Sequence, residues 1–277
     1  MIKIICDSIS DVPRELLEKY DVDMLPIRVI IDDKEYLAGV DIENDEYYRI
    51  LKESKNIPTT SQVTYMDFIE KFEEYTSKDI DVLYIGGSSN ASGTFQNATM
   101  ASRDVAGPGR VYLFDTNSLS VCAGLFVLKA CLLKEEGLRI ESIMKELESL
   151  KGTEEAAFFV DDLKYLQKGG RISSAKASIG ALLKITPILK IKDGLVAQDS
   201  VVRGKKAAFN ALIDANNQND SLSSKIVFIG YCDNEESAIE VENRIKNIAN
   251  HDNVYRLKIG AGVSTHSGPS IIGVASI

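Results

Sequence analysis

Tryptophan is absent from this 277-residue chain, and histidine occurs only as His251 and His266. Two imidazoles cannot build a histidine cage, so no structural or catalytic metal is expected. The four cysteines, Cys6, Cys122, Cys131 and Cys232, form no C-x-x-C pair and read as reduced core thiols. Basic excess is also missing: 32 Lys and Arg face 41 Asp and Glu, a net charge of −9. Neutralising a phosphate backbone needs a basic face, so nucleic acid is not an expected partner. No run approaches the roughly 20 apolar residues of a membrane span, since even LFVLKACLL is broken by Lys129. The opening MIKIICDS lacks a charged segment followed by a long apolar one, and a cytoplasmic location is expected. Neither G-x-x-x-x-G-K-[ST] nor G-x-G-x-x-G occurs where a strand meets a helix, which leaves a nucleotide unsupported.

What is present is a regular alternation. β-Branched runs (IKIICD, DVLYIGG, RVYLFD) precede helical patterns (VPRELLEKY, TFQNATMASRDV, AGLFVLKACLLKEEG). Nearly continuous apolar strands in that order predict βαβ units and a parallel sheet covered on both faces, an α/β/α arrangement. Between the first two units, residues 22–42 contain two extended runs around Asp32, Asp33 and Lys34, read as a hairpin excursion. Thr64 followed by Asp67 reads as a capping box, with Thr59, Thr60 and Ser61 in the approach loop. The character changes near residues 151–153. Beyond them come strand AAFFV, short helix DDLKYLQ, turn KGGRIS, small-residue helix SAKASIGALL and a hairpin turning at Asp193-Gly194. Helices and strands then alternate up to a closing loop that holds His266. The expectation is a parallel N-terminal domain over 1–153 and a smaller mixed-sheet domain over 154–277.

Ligands of open α/β sheets sit at the carboxyl ends of the strands, where loops lead into helix N-termini. CDSIS, GGSSNASGT and FDTNSLS are three such loops, all rich in hydroxyls, and should share one rim. A helix N-terminus favours an anion, and Gly93 after Ser92 lets backbone approach it closely. The same Ser and Thr residues are equally good helix caps and turn formers, so both readings stand. A triad of Ser92, His266 and an aspartate such as Asp7 is a further possibility, to be judged on geometry. Arg171 follows two glycines that allow a sharp turn and a fixed aim for its guanidinium.

In order along the chain, CDSISDVP, PTTSQ, SNASGTFQNA, FDTNSLSVCAG, FFVDDLKYLQKGGRIS, ALLKITPIL, VVR and HSGPSIIG together resemble the bacterial DegV family, over the whole length. The resemblance implies an α/β domain and a smaller mixed domain that clamp a long-chain (roughly C16–C18) fatty acid between them, with no other cofactor. It further implies a carrier without a catalytic centre, which presents the acid to a separate ATP-dependent kinase subunit for conversion to acyl phosphate in phospholipid metabolism. Transient contact with a membrane surface would fit such a carrier. Thr60 and Ser92 match the hydroxyls that hold the carboxylate, while Ser61, Gly93, Arg171, Arg203 and His266 match nearby polar or partner-contact positions. For the tail, residues 175–183, Ile188 to Ile191, and Phe158 or Phe159 are candidate linings, each equally readable as core. Two positions depart from the family pattern. Val63 stands where proline usually follows TSQ, and Ser270 stands where glycine is common. The alternative reading is an enzyme using Ser92 as a hydrolase nucleophile or His266 as a phosphate acceptor.

Overall fold

The computed structural model describes residues 1–54, 56–172, 185–218, 222–248 and 251–277. Its first part runs β1 (Ile2–Asp7), α1 (Arg14–Lys19), β2 (Val22–Leu25), β3 (Arg28–Ile31), β4 (Lys34–Leu37), α2 (Asn44–Glu53) and β5 (Thr59–Ser61). It continues with α3 (Tyr65–Thr76), β6 (Asp81–Gly86), α4 (Thr94–Asp104), β7 (Val111–Asp115), α5 (Ser120–Glu135) and α6 (Ile140–Leu150). Strands β2-β1-β6-β7 form a parallel sheet. Its side chains alternate strictly between faces: Ile5, Val82 and Tyr84 pack with Phe68, Phe72 and Ala98 of α3 and α4, while Ile4, Cys6, Leu83 and Ile85 pack with α1 and α5.

The excursion is shorter than the sequence suggests. Val22–Leu25 is an edge strand of the parallel sheet, in register with Ile4 to Asp7, and the hairpin proper begins at Arg28. Asp32 and Asp33, both at positive φ (46° and 65°), make the two-residue turn whose twist suits a hairpin. Thr59–Ser61 is not loop but β5, added antiparallel to β3. Three short residues carry little strand signal; pairing with Arg28 to Ile30 supplies it. The capping box of Thr64 and Asp67 is present at the start of α3.

The remaining elements are β8 (Glu155–Phe159), α7 (Lys164–Gly169), β9 (Ile185–Lys192), β10 (Leu195–Arg203), α8 (Lys205–Ala215), β11 (Val227–Tyr231), α9 (Glu235–Lys246), β12 (Val254–Lys258), α10 (Ala261–Ser267) and β13 (Ile272–Ser276). They build a mixed sheet of order β10-β9-β8-β13-β11-β12. Its outer face packs on α8 and α9 through Phe209, Leu212, Val241 and Ile245. The small-residue helix expected over 175–183 lies outside the described residues. His266 sits in α10, a helix where a closing loop was expected; packing against α2, α7 and β3 overrides its weak helix propensity.

Helix α5 joins the two sheets. It is apolar almost all round, the pattern of a helix without a solvent face, and packs against β1 and β6 of one sheet and β11 and β13 of the other. One core therefore runs from Ile4 and Leu83 through Leu125 and Phe126 to Phe228 and Ala275. Cys122 and Cys131 belong to it as free thiols, and burial pushes both up to about 12. Replacing the fully buried Leu125 with alanine is expected to cost roughly 2–5 kcal/mol, with both halves unfolding in one urea transition. Separate transitions for the two sheets would refute the shared core.

Candidate functional site

The three hydroxyl-rich loops do meet at the carboxyl end of the parallel sheet, but most of their polar groups are spent on each other. The buried Asp7 carboxylate accepts from Tyr84 Oη at 2.5 Å, Ile9 N at 2.9 Å and Gly87 N at 3.3 Å. Ser8 Oγ accepts from Ile27 N, Ser10 Oγ donates to the Asp7 carbonyl, and Thr116 Oγ1 donates to the Gly86 carbonyl. These groups brace the rim. Of the hydroxyl residues of the three loops, Ser92 and Ser120 reach the large cavity beside it.

That cavity, about 880 Å³ counting its mouth, lies between the rim and the mixed sheet. Apolar side chains and backbone make most of its wall: Ile9 and Ile27 beside the parallel sheet, Val121 and Cys122 of α5, Phe158 of β8 and Val274 of β13. Thr60, Ser92, Arg171 and His266 come together in one part of it, and Ser120 and Ser267 are its other hydroxyls. A shallower recess shares Thr60, Ser92 and Arg171 and adds Ser61, Gln62 and Gly93. Six of the seven residues singled out from the sequence are thus brought to one place. Arg203 is not among them; it lies exposed at the last position of β10.

Each member is held by its own local chemistry. Thr60 is fixed in β5, with its Oγ1 2.8 Å from His266 Nε2. His266 sits in the last turn of α10, and Nδ1 is buried without a hydrogen-bond partner among the described residues. A side chain on Gly169 would meet that ring at 2.4 Å, so the glycine is required by close approach. Burial first, and the Arg171 charge second, lower the His266 imidazole to about 4. It is neutral near pH 7. Gly170 takes a left-handed conformation (φ 67°) at the end of α7 and turns Arg171 back toward the cavity. The guanidinium donates to the carbonyls of Ala91, at 3.1 Å, and Gly169. Ser92 Oγ is 3.0 Å from Thr94 Oγ1 and accepts from Thr94 N at 3.3 Å, a turn contact at the entry to α4, whose N-cap position is Gly93 without a side-chain cap. It coexists with exposure to the cavity.

Ser92, His266 and Asp7 do not form a triad. The imidazole pairs with Thr60, Ser92 with Thr94, and Asp7 with Tyr84 and backbone. The two departures are explained locally. Val63 is fully buried, and its N–H, which proline lacks, points to Thr94 Oγ1 at 3.4 Å. Ser270 accepts from Asp161 N at 3.2 Å and is not at positive φ; the left-handed residue of that turn is Gly268 (φ 83°). Of the tail candidates, Phe158 and Ile191 line the cavity, whereas Phe159 and Ile188 face the α8 core. Leu119, Val196, Ile259 and Val263 also line it and were not singled out, because cavity wall and core share one composition.

An α/β protein whose parallel and mixed sheets enclose a mostly apolar slot with a polar part is thereby defined. The family model described as an uncharacterised protein, DegV family, matches residues 1–277, and the chain belongs to the DegV family. It is 34% identical over 278 residues to the fatty acid-binding protein of Thermotoga maritima, covering 98% of this chain and 96% of that one. It resembles the structure of a fatty-acid-binding DegV family protein from Thermus thermophilus (TM-score 0.90, 30% identity, 99% and 98% of the two chains). A stearic acid-binding protein from Eubacterium ventriosum is similar in the same way (TM-score 0.90, 26% identity, 100% and 98%).

A buried neutral imidazole makes folding sensitive to acid. The unfolded chain takes up a proton near the ordinary value of about 6.5, whereas the folded chain resists until about 4. Stability contributed by His266 is therefore full above pH 6.5 and falls as pH drops toward 4. Compared with His266→Gln, the wild type should lose about 3 kcal/mol of relative stability across that window in urea titrations. A constant difference would place the ring in water.

Proposed function

We propose that this chain binds one long-chain fatty acid, roughly C16–C18, with its carboxylate at Thr60 and Ser92 and its tail along the apolar slot. The observation that carries the reading is the convergence of Thr60, Ser92, Arg171 and His266 in one part of a cavity walled mostly by apolar groups. With His266 neutral, its Nε2–H can donate to Thr60 Oγ1, which frees the threonine proton for the carboxylate. Ser92 supplies a second hydroxyl at the start of α4, and Arg171 the nearest positive charge. Ser61 and Gly93 border the outer side of the head group. Tail burial supports capture from water: at about 0.8 kcal/mol per methylene, a 15-methylene tail contributes about 12 kcal/mol before entropy costs.

The further reading is a carrier that presents the carboxylate to a separate kinase subunit in the cytoplasm, with the exposed Arg203 available to that partner or to an anionic membrane surface. Support for a carrier over an enzyme comes from the hydrogen bonds themselves: Ser92 pairs with Thr94, and His266 is engaged by Thr60. Family membership supports it too, since the relatives above are named for fatty acid binding.

Calorimetric titration of delipidated protein with stearic acid tests the reading. One site per chain is expected, with affinity falling roughly tenfold or more in each of Thr60→Ala and Ser92→Ala, the range for a hydrogen bond to a charged group. No binding by the wild type, or variants that bind as well as it does, would overturn the assignment.

A further inference from the structure

We propose that Ala156 is the residue that limits acyl length: the end of the tail rests on Ala156 and Ala275, the last row of the mixed sheet to face the slot. The inference deepens the fatty-acid reading and rests on it.

The floor of the slot follows from strand register. Residues directly opposite each other in neighbouring strands share one face of a sheet. Phe158, Gly273 and Gly230 are aligned in this way across β8, β13 and β11, and two positions along each strand Ala156, Ala275 and Phe228 form a second row. The residues between the rows, Ala157, Val274 and Ile229, belong to the core under α8 and α9. Both rows therefore face α5 and the slot. β8 is an interior strand, yet on this face Ala156 and Phe158 are partly exposed, whereas Ala157 and Phe159 on the other face are buried. Protein interiors are close-packed, so an interior strand with one open face marks a place for a ligand.

The cover given by α5 ends between β11 and β8. A side chain on Gly230 of β11 would strike Val121 of α5 at 2.8 Å, so the helix sits on the sheet there. At Gly273 of β13 the nearest atoms, from 2.9 to 3.8 Å, all belong to Phe158 and Ala157 of β8, and none to α5. The two rows also differ in their distance from the head-group residues. β8 leads into α7 and the Arg171 turn, and β13 follows α10, which carries His266. Phe158 and Gly273 are thus the near row, and Ala156 and Ala275 lie about 7 Å further along their strands, at about 3.4 Å per residue. Both alanines line the slot, and neither belongs to the head-group recess. Ile277, the next position on that face after Ala275, is not part of the slot wall and packs with the α5 core. The floor ends at the alanine row.

The test is a calorimetric series of saturated acids from C12 to C18 on delipidated wild type, Ala156→Val and Ala156→Leu, read for each acid as the ratio of variant to wild-type Kd. Leucine adds three carbons where alanine leaves room. The Ala156→Leu ratio is expected within about threefold at C12 and at about tenfold or more at C18, the effect of overfilling a packed site, with Ala156→Val between it and wild type. Wild-type affinity for the C12 acid shows that a variant is folded and its head-group site intact, and Ala156→Val carries the test where leucine prevents folding. A ratio near one at every length would overturn the assignment, because the tail then never reaches Ala156. An equal loss at every length would overturn it as well, since the substitution would then act on the head group or the fold. Failure of the wild type to bind any acid would instead bring down the fatty-acid reading, and this inference with it.

Discussion

The burial of α5 between two sheets is the constraint on which the rest depends. A helix apolar on nearly every side has no stable place at a surface, and here each sheet supplies one wall. Consequences run in both directions along it. Its body fuses the cores, so the parallel and mixed sheets share one set of contacts from Ile4 to Ala275. Its first turn stands at the rim, where Ser120, Val121 and Cys122 form part of the cavity wall. The slot is the space the sheets leave where the helix begins. Ser120 Oγ, 2.6 Å from the buried Asp11 carboxyl, ties that first turn to the loop after β1, and Asp11 in turn accepts from Gly260 N just before α10. The elements that carry the polar end are thereby held to the same anchor.

At the polar end, the chemistry is that of positioned neutral donors beside one cation. Arg171 is partly buried and bound to two carbonyls, which fixes its location but uses part of its donor set. His266 contributes no charge near neutral pH, because burial and the neighbouring guanidinium both disfavour the imidazolium. A second cation beside Arg171 would hold a carboxylate more tightly, and would also resist its release or conversion. Hydroxyls can regroup around an anion of different size, which would suit the proposed carrier.

Legibility in the sequence followed the strength of local signals. Continuous apolar strands and helical periods gave the parallel sheet, and Asp193-Gly194 marked the β9–β10 hairpin of the mixed sheet, because these patterns are set by residues a few positions apart. β2, β5 and α10 were misread because short segments of three to seven ordinary residues acquire their state from a distant partner: Val22–Leu25 from β1, Thr59–Ser61 from β3, and α10 from the elements packed on it. The seven candidate site residues came from motif resemblance together with loop placement, and six of the seven converge. The tail wall was not legible, because Val263 or Ile259 in a wall and Leu125 in a core are the same choice made by the same solvent.

Selectivity then has to come from the ends of the slot. A bilayer interior offers an acyl tail nearly the same transfer energy per methylene as this cavity does, so burying the tail alone favours neither the protein nor the membrane. What a bilayer cannot offer is a set of oriented donors at a fixed distance from a closed apolar wall. On the proposed reading, Thr60, Ser92 and Arg171 fix one end of the slot by hydrogen bonding and charge. The helix that fuses the two sheets sets how far the apolar wall runs from that end, so the acyl length accepted would follow from how α5 is packed.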